Sequence, residues 1–137
     1  MNKTKKQLAL LLLIIILLVP AIHKLTSPIP PEWFKAKFEN SLLGNVPNAI
    51  TISYYIIILL ELAGPLFLLI SLVQISLNNA YEQWLRYGFT VYYILFIVLT
   101  FGSFLVQDYD NGFKDFMYFT AVLLIDNFLF DKSKIHA

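Results

Sequence analysis

Apolar residues in this chain gather into four long stretches separated by short polar breaks. They cover residues 7–25, 49–77, 85–106 and 113–130. A helix needs ~20 mostly apolar residues to cross a ~30 Å hydrocarbon layer. The pattern therefore predicts four spanning helices, the second long enough to tilt or protrude. The breaks at 78–84 and 107–112 are short, so the last three helices are expected to run antiparallel.

The longest break has a pattern of its own. Pro28, Pro30 and Pro31 stop the first helix and extend the chain. Pro31 then suits a first helical position and Gly44 a helix stop. Between them Phe34, Phe38 and Leu42 recur every four residues, with Trp33 at the edge of their face. Lys35, Lys37 and Glu39 spread over the other faces. Residues 31–44 thus read as a short amphipathic helix in the interface plane. It serves either as a cap on the bundle or as a lid or docking surface on the outer face. The expected fold is all-α: one domain over residues 1–137, a four-helix transmembrane bundle with this interfacial helix between the first and second spans.

Composition agrees. The chain is 58% hydrophobic and 14% charged, with a mean hydropathy of +0.69, whereas soluble domains carry about 25% charged residues. A soluble globule of this length buries roughly two-thirds of its unfolded surface, too little to hide so much Leu, Ile and Phe. A soluble enzyme and a disordered tail are both excluded, and the lipid bilayer is the first partner. A net charge of +1 supplies no basic field for nucleic acid.

Absent residues remove whole chemistries. Without cysteine there is no disulfide framework, thiol nucleophile, or Cys-ligated zinc or iron–sulfur site. The two histidines, His23 and His136, are poorly placed for a bis-histidine haem. No metal site is expected. GxSxG, HExxH and P-loop patterns are missing, and no catalytic residue is assigned.

Charge placement predicts topology. With the N-terminus inside, Lys3, Lys5, Lys6, Arg86, Lys132 and Lys134 face the cytoplasm, against Lys24, Lys35, Lys37 and Lys114 outside. The dense cluster before the first helix sets the orientation, and both termini are expected in the cytoplasm. Residues 19–22 make a poor cleavage site, so the first stretch is read as a retained span. Trp33, Tyr54, Tyr55, Tyr81, Trp84, Tyr87 and Tyr109 fall where aromatic belts form.

Ionisable residues within spans are the candidates for chemistry. Glu61 lies about 18 Å along the second helix from Ala49, which would put it near the bilayer middle. Pro65 frees the backbone carbonyl of Glu61, and Gly64 admits a ligand or a neighbouring helix. The first helix ends in Pro20, His23 and Lys24, and either a Lys24–Glu61 or a His23–Glu61 pair would lessen the cost of burying Glu61. Glu61 is then an interhelical clasp, a proton or ligand site, or a protonated acid bonded to a backbone carbonyl. Thr100, Ser103 and Gln107 follow helical spacing on the third span, and Asp115 and Tyr118 share a face of the fourth. With His23, Lys24 and Glu61 they could line a polar pocket opening outward. Asp126 is expected to snorkel to water at the inner end.

These segments resemble the DoxX family of small four-helix bacterial membrane proteins. Ala21-Ile22-His23-Lys24-Leu25 is similar to the family's Gly-x-x-Lys-Leu helix ending, with Ala21 for the glycine. Glu61-Leu62-Ala63-Gly64-Pro65-Leu66 is similar to its Glu-x-x-Gly-Gly pattern, with Pro65 for the second glycine. The Pro- and aromatic-rich segment between them matches the layout. The resemblance implies that Lys24 and Glu61 are the family's polar pair. It also implies a membrane subunit or anchor of an oxidoreductase complex in the bacterial inner membrane, with redox-enzyme partner subunits and a possible quinone ligand. Two alternatives stand beside it. One is a proton-coupled small-molecule transporter working as a homodimer, against which a cationic partner for Glu61 argues. The other is an assembly protein without activity of its own.

Overall fold

The computed structural model describes residues 3–26 and 30–135, with side chains through residue 129. Pro28 and His136 lie outside the described residues. Five helices follow one another: α1 (Lys3–Leu25), α2 (Glu32–Phe38), α3 (Ala49–Ser76), α4 (Glu82–Leu105) and α5 (Tyr109–Ile135). A 3₁₀ turn, Leu42–Asn45, precedes α3.

Among the described residues α1, α3 and α4 are long and apolar enough to cross a membrane. The fourth expected span is the exception. α5 forms, but Lys114 and Asp115 stand at one end of its apolar run and Asp126 at the other. The run between Asp115 and Asp126 is only about 15 Å long at helical rise. The helices also do not close into a ring. α1 packs on α3, α3 on α4 and α4 on α5, while α5 scarcely meets α1. The result is an open row with α5 at its edge.

The amphipathic segment is shorter than its spacing predicts. α2 stops at Phe38 because Ser41 Oγ donates to the Phe38 carbonyl at 2.6 Å. The same oxygen accepts from the Leu43 amide at 3.2 Å and starts the 3₁₀ turn. Serine competes in this way with helical backbone pairing. A Cβ on Gly44 would stand 1.9 Å from the Glu39 carbonyl oxygen, so this turn requires glycine. Phe34 and Phe38 are buried against the protein, but Leu42 is 71% exposed. The aromatic face of α2 therefore caps the helices, and Leu42 does not continue it.

The two tight connections end their helices alike. Asn78 and Gln107 take left-handed conformations, at φ 58° and 62°. The Asn79 amide then reaches the Gln74 carbonyl at 2.9 Å, and the Asp108 amide reaches that of Ser103 at 2.8 Å. These are Schellman closures.

Helix pairing in lipid rests on close approach and hydrogen bonds rather than on the hydrophobic effect. Gly64 of α3 receives the ring of Tyr92 from α4: a Cβ there would lie 2.7 Å from Tyr92 Cε1. Gly88 of α4 receives Leu68 of α3, with 2.5 Å to Cδ2. Tyr92 is wholly buried, and its hydroxyl donates to the Leu13 carbonyl of α1 at 2.6 Å. One side chain thus ties three helices together. Gly64→Val should lower stability by about 1–3 kcal/mol through overpacking, and Tyr92→Phe by about 1 kcal/mol through the lost bond. Thermal melting in mild detergent checks both, and a wild-type melting point for Gly64→Val would refute the close approach.

Candidate functional site

α1 ends just past Lys24, whereas α3 begins twelve residues before Glu61. The Lys24 ammonium donates to Glu61 Oε1 at 2.7 Å and to Oε2 at 2.9 Å. The pair is therefore level with the end of α1, and α3 runs on about 18 Å beyond it at helical rise. A 23-residue α1 is itself about 35 Å long, so the pair stands at one end of that helix. The Glu61 side chain is 5% exposed and that of Lys24 25%. Lys24 also lies in the last turn of α1, where positive charge complements the helix dipole.

The early end of α1 leaves a step beside α3, and α2 covers it. Phe34 stacks edge-on against Tyr54 of α3 at 5.0 Å and lies 4.9 Å from Phe38. Phe38 faces Gly102 of α4, 3.7 Å from where a Cβ would stand. Beneath this lid is a cavity of about 210 Å³. Part of its lining is aromatic and aliphatic, formed by Trp33, Phe34, Phe38, Tyr54 and Ile57. Lys24, Lys37, Ser103, Asn111 and Asp115 supply the polar part of the lining.

A second ion pair fastens the lid. Lys37 of α2 meets Asp108, in the α4–α5 connection, at 2.7 Å. Asn111 Nδ2 donates to the same carboxylate at 2.6 Å. The hydrogen bond from Lys37 first, and that from Asn111 second, hold the Asp108 carboxyl at about 2, below its usual 3.8. Asp115 lies beside Ser103 and near Lys37.

Of the residues singled out from sequence, Lys24 and Glu61 form one ion pair, and Ser103 and Asp115 line the cavity. His23 does not pair with Glu61: it is exposed, with its carbonyl accepting from Thr26. Thr100 lines a separate apolar groove between α4 and α5 rather than the cavity that Ser103 borders. Tyr118 is 48% exposed and rests on Phe96, while Gln107 sits exposed in the turn. Gly64 admits Tyr92 rather than a ligand. Asp126 does not simply snorkel, since the Tyr93 hydroxyl donates to its Oδ2.

Sequence reading missed Lys37, Asp108, Asn111, Phe34, Phe38 and Tyr54 as parts of one site. Lys37 and Asp108 are far apart in the chain, and no local spacing joins them. The available signal was the phase of α2: Phe34 and Phe38 on one face leave Lys37 at its border. No family model, curated protein or solved structure matches this chain.

The arrangement suits a small, flat ligand. Drug-sized pockets begin near 300 Å³, so a cavity of about 210 Å³ holds a group the size of one ring. Aromatic walls stack on its faces. Lys24 keeps an N–H beyond its two bonds to Glu61, and Asn111 keeps one beyond its bond to Asp108, while the Ser103 hydroxyl is engaged with Asp115.

Removing one member of a buried pair costs most when the remaining charge cannot reach water. Lys24→Ala strands Glu61 and should cost about 3 kcal/mol, within the usual range for broken buried pairs. Glu61→Gln leaves a part-exposed lysine that can extend outward, and should cost about 1 kcal/mol. Detergent melting of the two variants tests this order, and equal losses would count against it. The Asp108 carboxyl titrates lower when folded, so its contribution to holding α2 is complete above pH 3.8 and lost as pH falls through about 2. Trp33 fluorescence in a Trp84→Phe background should shift over that window and stay flat in Asp108→Asn.

Proposed function

We propose that this chain is a DoxX-like integral membrane protein that serves as the membrane subunit of an oxidoreductase complex and receives a quinone head group beneath α2. The observation that carries this reading is the cavity itself, ring-sized, walled by Phe34, Phe38 and Tyr54, with Lys24 and Asn111 as donors in its lining. A quinone presents two carbonyl acceptors on a flat ring. The spare Lys24 N–H suits one carbonyl, and the second amide N–H of Asn111 suits the other. Phe34 and Phe38 of α2 border the cavity, and apolar surroundings strengthen each of these bonds. Commitment of Glu61 to Lys24 weighs against a free proton-exchanging carboxylate, and so against a transporter.

In this reading α5 is a fourth span. Lys114 and Asp115 reach one interface, and Asp126 is carried inside by its bond from Tyr93. Both termini then face the cytoplasm of a bacterial inner membrane, beside the redox partner. Purification in gentle detergent should recover a soluble oxidoreductase in fixed stoichiometry. A short-chain quinone should quench Trp33 in the Trp84→Phe protein, about fivefold more weakly after Asn111→Ala, as expected for one lost hydrogen bond. A C-terminal reporter should be active only inside. Recovery of self-dimers alone, with no quinone quenching, would overturn the proposal.

A further inference from the structure

The opposite end of the molecule holds a second polar cavity, unrelated to the lid. It measures about 260 Å³ and lies where the start of α1 meets the α3–α4 connection. Lys3, Lys6, Asn78, Asn79, Tyr81 and Ile75 line it. No acidic side chain is among them, and Glu82 in the first turn of α4 is exposed outside the lining.

Both ammonium groups are held by neutral oxygens. Lys3 Nζ donates to Asn78 Oδ1 at 3.0 Å and, more weakly, to the Ser76 carbonyl at 3.5 Å. Lys6 Nζ donates to the Tyr81 hydroxyl at 2.8 Å. Each ammonium has three N–H donors, so at least one on Lys3 and two on Lys6 remain. The bonds fix the positions of two positive charges without neutralising either. The N-termini of α1 and α4 both end here, and their dipoles add positive potential that outweighs the single C-terminus of α3. The outer faces of α1 and α3 are apolar, with Leu8, Leu11 and Leu12 of α1 and Val73 and Leu77 of α3 exposed.

We infer that Lys3 and Lys6 form a phosphate-oxyanion site at this end of the bundle, of the kind that takes an anionic phospholipid head group or free phosphate. Phosphate oxygens accept the unused ammonium protons, and the Asn79 amide adds a neutral donor. Acyl chains of a bound lipid would lie along the apolar outer surface of the helices. Basic pockets between spanning helices hold acidic lipid head groups by the same forces.

The test uses the full-length protein in nanodiscs of phosphatidylglycerol or phosphatidylcholine, followed by native mass spectrometry of retained lipid. Phosphatidylglycerol should be retained preferentially. Lys3→Gln with Lys6→Gln should weaken retention roughly thirtyfold, from the usual contribution of a lysine at an anionic surface taken twice. Lys35→Gln with Lys114→Gln removes the same charge at the other end and should leave retention unchanged. Asn79→Asp places a negative charge in the cavity while keeping both lysines, and should weaken retention even if the double variant folds poorly. Inorganic phosphate is titrated in parallel. Protection from thermal unfolding by phosphate, with no preference for phosphatidylglycerol, makes free phosphate the ligand. Preferential lipid retention makes it the head group. Equal lipid retention without a phosphate effect, or undiminished binding in both Lys3→Gln/Lys6→Gln and Asn79→Asp, would overturn the site.

Discussion

A carboxylate inside an apolar layer is tolerated only with a partner, and the Lys24–Glu61 pair is the constraint from which the upper half of this molecule follows. Lysine can reach the middle of α3 only if α1 ends at the level of Glu61. That fixes the stagger of the two helices. It leaves the first turns of α3 without a neighbour on one side, and the chain between α1 and α3 has to fill the gap. α2 does so with Phe34 and Phe38, imperfectly, and the remaining space is the cavity. The ion pair, the lid and the cavity are therefore parts of one geometric solution.

The rest of the packing depends on close approach. Gly64 and Gly88 make sockets for Tyr92 and Leu68, so α3 and α4 interlock in both directions. Tyr92 crosses the first socket to reach α1, adding a directional bond where packing alone is weakly selective. The Tyr93–Asp126 bond extends the same device to α5. Polar groups inside the apolar region thus act in pairs that set the rotation of neighbouring helices.

Apolar run length was enough to read the long helices, because a spanning segment announces itself by composition. α1, α3 and α4 fall within a few residues of the stretches that predict them. The same criterion separates α5 from the other three, since Lys114, Asp115 and Asp126 shorten its apolar core. The Lys24–Glu61 pair was legible because two rare intramembrane charges on consecutive spans have few other ways to be satisfied. His23 and Thr100 were misplaced because spacing gives a face only to within about one residue. Lys37 and Asp108 were invisible as a pair, since only the fold brings α2 to the α4–α5 turn. Ser41 ended α2 by a local bond that the hydrophobic pattern does not encode.

The open row has a consequence for biogenesis. Each long helix packs mainly on the one made immediately before it: α3 on α1, α4 on α3, α5 on α4. A closed ring would leave the first helix waiting for the last. Here the order of synthesis and the order of docking coincide, so each segment leaving the ribosome finds its partner already in the bilayer. Such sequence-local pairing keeps the search short. It also makes truncation graded, because loss of the final helix uncovers one face of α4 and leaves the earlier interfaces whole.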